Sequence, residues 1–352
     1  MTTTMMTTTM TTTTRTAPPV TPVWRWQQHR FRAMNTEVHV RAWAAPRANA
    51  ARRVEESFRY FEALLSRFRP ASELSQLNED ESPVFAASAD LYAAVEAALW
   101  AAEQTNGIYD PTILPCLERA GYDRTFAALP SPRPLGNDDP AAPEAEEPLT
   151  GGPDYRAVRL EPFARLIARP PGVRLDLGGM GKGWTVDRVV DDLRADGHFL
   201  INAGGDLYAY GAPPGEHGWR VHLADPRQPA RRVATLSLWR HAFATSTVAK
   251  RRWLQDGRVR HHLIDPRTGR PATSDVVSAS VVAGRVFTAE VFAKTALILG
   301  AAGGLALLEA LPEVEGLLVT AAGEIHATSG LPRFLERLDP AGYDQNEMEQ
   351  MA

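Results

Sequence analysis

Four glycines fall within eight residues in the run Asp176-Leu177-Gly178-Gly179-Met180-Gly181-Lys182-Gly183. Before it, the alternation from Val173 to Leu177 predicts a strand; after it, Trp184, Val186, Val189, Val190 and Leu193 predict a helix from about Lys182 to Ala195. The chain must therefore pass from strand to helix within a few residues, through backbone that glycine adopts most readily. Such a junction leaves free amides at the helix start, which attract an anion, and Lys182 adds a positive charge. A phosphate-bearing ligand fits these features, and so does a tight turn that binds nothing. The run is not a P-loop, because no Lys-Ser/Thr pair closes it, and its spacing does not make a dinucleotide fingerprint.

Elsewhere the periodicity changes often. Glu37 to Arg41 alternates as a strand, while Val54, Phe58, Phe61 and Leu65 recur at helical spacing up to about Arg67. A second helix is predicted from Asp90, stopped by Asn106-Gly107. Short strands follow at Val158–Leu160, Leu166–Ala168, Phe199–Ile201, Leu207–Tyr210, Trp219–Leu223 and Ala279–Ala283. A helix from Thr288 to Leu299 precedes a last strand near Leu317–Val319. This mixture lacks a βαβ rhythm and predicts an α+β fold of mixed, largely antiparallel sheets covered by helices. The apolar run Thr295–Leu311 holds three glycines and Glu309, which reads as a buried helix followed by a second helix and not as a membrane span.

Three segments lie outside this pattern. Residues 1–22 form a Thr/Met-rich tail expected to be disordered, residues 130–153 a proline- and acid-rich insertion expected to be disordered, and residues 336–352 a flexible C-terminal tail. Between the tails a single domain, 23–335, is expected. Its net charge of -4 and scattered arginines argue against nucleic acid as a partner. The single cysteine, Cys116, excludes an intrachain disulfide. With no signal peptide pattern, no early cysteine for a lipid anchor and no transmembrane segment, a cytoplasmic location is expected.

Two further segments could carry chemistry. Ile201-Asn202-Ala203-Gly204-Gly205-Asp206 is a second glycine turn, whose aspartate either meets a ligand or bonds nearby amides. His261-His262-Leu263-Ile264-Asp265-Pro266-Arg267-Thr268-Gly269-Arg270-Pro271 combines a possible base with turn residues. No His/Cys/Glu set at zinc-ligand spacing accompanies it.

Together these segments resemble the FAD:protein FMN transferases, also called the ApbE or thiamine-biosynthesis lipoprotein family. The matches occur in family order: Met34-Asn35-Thr36; Ser66-Arg67-Phe68 with Ser72 to Asn78; Asn106 to Thr112; and the two glycine loops. Ala244-Thr245-Ser246, the His262 to Pro271 run and Ala289 to Gly300 complete them, so that the resemblance spans roughly residues 30 to 330. It implies two lobes with the flavin cleft between them. It also implies a transferase of phosphorus-containing groups that moves FMN from FAD to a Ser/Thr hydroxyl of an acceptor protein, releasing AMP, with Mg²⁺ at the pyrophosphate. An FAD-binding protein or FAD hydrolase with lost or altered transferase activity is the alternative.

Residue by residue, the resemblance makes His262 the catalytic base. Met34, Asp110, Gly178, Gly179, Lys182, Asn202, Asp206, Ser246, Asp265 and Thr268, with His262, are the implied flavin- and nucleotide-binding positions, and Gly181 and Glu290 the implied metal ligands. One departure bears on the metal. The family run is Ala-Asp-Ala-x-Ala-Thr, its Asp and Thr ligating magnesium, whereas this chain reads Ala289-Glu290-Val291-Phe292-Ala293-Lys294. Either Mg²⁺ still binds through Glu290 and backbone carbonyls, or the Lys294 ammonium stands in the metal's place.

Overall fold

The computed structural model describes residues 23–45, 48–130 and 152–338. The expected disorder of 1–22, and of nearly all of the insertion and the C-terminal tail, falls outside the described residues. At its centre is an eight-stranded sheet whose hydrogen-bonded neighbours follow chain order: β1 (Arg25–Ala33), β2 (Thr36–Ala44), β3 (Gly197–Ala203), β4 (Asp206–Tyr210), β5 (His241–Thr247), β6 (Val276–Ala283), β7 (Glu315–Thr320) and β8 (Ile325–Ala327). Every pair is antiparallel, as the sequence predicts.

Two tight hairpins set the register. Ala33 pairs with Thr36 around Met34 and Asn35, both at positive φ (49° and 59°). Ala203 pairs with Asp206 around Gly204 and Gly205, also at positive φ (71° and 108°). Two-residue hairpins that match strand twist need this backbone, which asparagine tolerates and glycine adopts freely. The two turns also touch: a Cβ on Gly204 would lie 2.0 Å from Thr36 Oγ1.

Both faces of the sheet are covered. On one, Val38, Val40, Phe199, Ile201, Ala279 and Val281 pack against α1 (Ala50–Leu65) and two later helices. On the other, Leu207, Phe243, Val282 and Leu317 pack against a small sheet of Trp219–Ala224, Arg232–Leu238 and Leu335–Leu338. The last of these strands carries ordered chain past residue 335, three residues into the expected tail, because its backbone finds a partner in Arg232–Leu238. Burial from both sides explains why β6 is apolar almost throughout instead of alternating.

A second core lies beside the first, around α2 (Glu73–Glu79) and α3 (Ala89–Gln104), with Leu74, Leu77, Leu91, Val95 and Ile167 at its centre. After α4 (Leu114–Arg119) come the two helices that join the lobes, α5 (Gly181–Leu193) and α6 (Val286–Glu309). Val186, Val189 and Phe292 face the sheet core, while Trp184, Phe287 and Val291 face the helical core. The predicted strand Val173–Leu177 is not one. Its neighbours are the Asn78 side chain, which exchanges two hydrogen bonds with Leu175 (2.7 and 2.8 Å), and the Pro111 carbonyl, bonded by Asp176 N–H, so no second strand lies alongside.

α6 is long and apolar enough, with a mean hydropathy of 1.9, to cross a membrane by those measures. Here it is a core helix, with Ala289, Ala293, Ala296 and Leu297 fully buried. The expected break into two helices occurs at Gly300 (φ 80°, ψ 178°). A Cβ there would stand 2.7 Å from Asp275 Oδ1, the atom that accepts the Ala301 N–H (3.0 Å) and starts the second segment.

The first segment of α6 is started from outside the helix. Its N-cap, Arg285, makes no side-chain cap; Asp187 of α5 instead accepts the Val286 and Phe287 N–H groups, both at 2.9 Å. Asp187→Ala would leave those buried donors bare and is expected to lower the unfolding free energy by about 1–3 kcal/mol, with Asp187→Asn intermediate, in urea titrations. Burial, only partly offset by these amide bonds, pushes the carboxyl from 3.8 up to about 6. The folded state then holds this proton more tightly than the unfolded chain does. Stability from this group is therefore expected to fall as pH rises from about 4 to about 6, a slope that Asp187→Asn removes.

Candidate functional site

A cleft opens where the two lobes meet. Its wall is built by the end of α1, the Tyr109–Asp110 turn, the Gly178–Gly179 loop, the middle of α6 and the His262–Pro266 run. Partly open to solvent, it has a cavity volume of about 250 Å³, close to the lower end of small-molecule sites.

Its floor is a buried charge cluster. Lys182, in the first turn of α5, meets Glu290 of α6 and lies 3.1 Å from Asp206 at the start of β4. Glu290 Oε2 also accepts the Gly183 N–H at 2.9 Å. Gly183 permits this closeness, since a Cβ there would sit 2.8 Å from the backbone of Val286 and Phe287. Burial alone would lower the Lys182 pKa, but the two carboxylates outweigh it and hold the ammonium above its ordinary range. Burial raises Asp206, with Lys182 opposing.

Lys294, one helical turn beyond Glu290, does not pair with it. Its Nζ donates to the Gly179 carbonyl at 2.8 Å, and among the described residues it meets no carboxylate. Burial lowers its pKa, with Glu290 pulling the other way. Arg251 also lines the cleft without an ion pair among the described residues. His262 sits between these cations. Its Nδ1 is buried without a hydrogen-bond partner, and burial, followed by the charges of Arg251 and Lys294, holds its pKa well below 6.5. At neutral pH the ring is an uncharged imidazole, able to accept a proton.

The rest of the wall is pinned more firmly. Asp110 accepts the Thr112 N–H (2.8 Å), the Thr112 hydroxyl (2.7 Å) and the Tyr155 N–H (2.9 Å), which fold its turn. Arg67 lies 2.6 Å from Asp176 and rests over the rings of Phe68 and Tyr122 (4.1 and 4.6 Å). The Tyr109 hydroxyl, beside Gly179, is buried with no partner.

Met34, Asp110, Gly178, Gly179, Gly181, Lys182 and His262 line one cleft. Asp206 and Glu290 do not line the cleft; both are bound to Lys182. Asn202, Ser246, Asp265 and Thr268 do not line the cleft. Asn202 Oδ1 accepts the Gly205 N–H (2.8 Å) and shapes its hairpin. Asp265 is consumed by Arg267, whose N–H, Nε and Nη2 all reach it, and its carbonyl accepts from Thr268 and Gly269. Thr268 is exposed on that turn, and Ser246 faces its neighbours within the sheet. Arg251, Tyr122 and the Tyr109 hydroxyl were not singled out. Tyr109 sits inside a quoted motif; Arg251 and Tyr122 stand in no glycine or histidine motif that would mark them.

The side chains do not suit the expected magnesium ion. Both Glu290 oxygens already accept from Lys182 and Gly183, and the Gly181 carbonyl accepts the Thr185 hydroxyl at 2.7 Å. Among the described residues no three His, Cys, Asp or Glu side chains converge as a metal site, and Lys294 puts an ammonium where an oxygen ligand would be needed.

Comparison with known proteins places the family and the fold. The ApbE family model matches residues 34–318. The FAD:protein FMN transferase of Treponema pallidum is 31% identical over 319 residues, covering 84% of each chain. That of Vibrio cholerae is 29% identical over 250 residues, covering 70% of this chain and 72% of its own. Among solved structures, the ApbE protein of Thermotoga maritima superposes with a TM-score of 0.76 at 24% identity, covering 89% of this chain and 100% of that one. The flavin transferase ApbE from Vibrio cholerae gives 0.72 at 23%, with the same coverage.

The two lysines differ in what they hold together, and this can be measured without ligand. Lys182→Met would leave two buried carboxylates without their cation and is expected to cost about 3–5 kcal/mol of unfolding free energy. Lys294→Met, which unpairs no carboxylate, is expected to leave denaturant unfolding close to wild type.

Proposed function

The chain belongs to the ApbE family, and on that premise we propose that it transfers FMN from FAD to a Ser or Thr hydroxyl of an acceptor protein and releases AMP. The observation that carries the reading is an uncharged His262 in the same cleft as the glycine loop and the Lys182 and Lys294 side chains. In the transfer, the acceptor hydroxyl oxygen bonds to the phosphorus of the FMN half. The bond from that phosphorus to the bridging oxygen breaks, and AMP leaves with that oxygen. His262 takes the hydroxyl proton at a ring nitrogen.

The surrounding residues make this step easier in separate ways. Lys294 and Arg251 offset the charge that gathers on the phosphoryl oxygens. Phe68 and Tyr122, tilted 50° to each other with Arg67 over both rings, offer aromatic surface against which an isoalloxazine ring can pack. The Tyr109 hydroxyl offers an unsatisfied buried donor beside the glycine loop. Asp206 and Glu290 act on the ligand indirectly, by keeping Lys182 charged and in place.

The direct test incubates the protein with FAD and a candidate acceptor and follows AMP together with acceptor-bound flavin. Both are expected in equal amounts; AMP without flavinylated acceptor would mean that water is the true acceptor. His262→Asn is expected to bind FAD but to transfer about a hundredfold to ten-thousandfold more slowly. Since burial and neighbouring cations hold His262 well below 6.5, the acid limb of kcat/KM is expected to fall well below that value. An acid limb at 6.5 or above would remove His262 from the role.

A further inference from the structure

Two cations on the cleft wall have no carboxylate partner among the described residues. Glu290 and Asp206 are both committed to Lys182, Asp176 to Arg67, and Asp110 to Thr112 and the Tyr155 N–H. Lys294 and Arg251 remain on the wall without a carboxylate among the described residues, and Lys294 keeps only the Gly179 carbonyl. A buried ammonium in that position is costly unless an anion arrives to share its charge. The same arrangement disfavours a divalent ion. Glu290, the one carboxylate of the expected ligand run, is saturated at both oxygens, and its expected partner position is itself positive.

Resting on the functional reading above, we propose that Lys294 supplies the charge that a divalent cation would otherwise bring to the pyrophosphate, so that this chain binds FAD without a metal. Lys294 sits beside the backbone of Gly179: its Nζ would be 3.3 Å from a Cβ on that residue. It therefore meets the glycine loop from the α6 side while Lys182 meets it from below. The loop's own N–H groups are largely engaged, Gly178 with Asp176, Met180 and Gly181 with Leu177, and Gly183 with Glu290; a phosphate group at the loop therefore meets the Lys294 ammonium, which can exchange its single carbonyl bond for charge-assisted bonds to phosphate oxygens.

The test is a flavin-fluorescence titration of the full chain with FAD, run in EDTA and again in millimolar MgCl2. Wild type is expected to bind equally well, within about twofold, in both. Lys294→Met is expected to lose about tenfold to a hundredfold in affinity in both buffers, and Lys294→Arg to retain most of it. A wild-type affinity that rises tenfold or more with Mg²⁺ overturns the proposal, and so does undiminished binding by Lys294→Met in EDTA. Melting curves of the variants without FAD separate lost binding from lost folding, and Lys294→Gln, which also removes the charge and is expected to lose the same affinity, carries the test if the Met variant is unstable. Binding only with Mg²⁺ would sink this inference while leaving the transferase reading standing; no FAD binding in either buffer would sink both.

Discussion

The Lys182 ammonium is the contact on which the rest of this molecule depends. It stands at the first turn of α5, takes a carboxylate from α6 and another from the start of β4, and so ties the helical lobe, the long core helix and the central sheet at one point. Such a pair is not kept for its net energy, because desolvating three charged groups costs much of what their attraction returns. What it secures is position. With both lobes tied at their seam, the glycine loop beside Lys182 is held at the floor of the cleft, its N–H groups fixed by Asp176, Leu177 and Glu290.

That arrangement requires tight backbone. Gly183 lets α5 approach the start of α6 so closely that any side chain would strike Val286 and Phe287, and Asp187, one turn later, bonds the first amides of α6. The same few residues therefore complete the helix, close the lobes and place Glu290 against Lys182. The second glycine turn has a related task, since Gly204 clears Thr36 so that the hairpins of β1–β2 and β3–β4 can lie side by side. Structural and chemical demands on these glycines are inseparable.

Charge on the wall follows a different logic from charge on the floor. Beneath the loop every carboxylate has its cation; on the wall Lys294 and Arg251 have none among the described residues, and they keep His262 uncharged by repulsion added to burial. A site arranged this way is poor at holding a free cation and good at receiving a polyanion, while leaving an imidazole able to accept a proton. Within the Ala289–Lys294 run, Lys294 brings an ammonium to that balance, held by the Gly179 carbonyl.

Much of this was legible in the residues. Periodicity placed α1, α3, α5 and the central strands β2, β3, β4, β6 and β7, though not β1, β5 or β8; the Asn-Gly stop ended α3, and glycine content marked both loops, because helix and strand periods and turn propensities are local properties. The motif order along the chain identified the family, and Lys294 stood out as an anomaly. What the residues alone did not disclose was which neighbour each side chain would choose. Glu290 and Lys294 lie at the spacing of a helical ion pair, yet Glu290 turns to Lys182, 108 positions away in sequence, and Lys294 to the Gly179 carbonyl. Val173–Leu177 has a strand's alternation but lies against an asparagine side chain, and Asp265 spends its oxygens on Arg267. These outcomes depend on distances set by the packing of α5, α6 and the sheet. Local sequence decided which elements form; only tertiary packing decided which charges would be neutralised and which would be left facing the cleft.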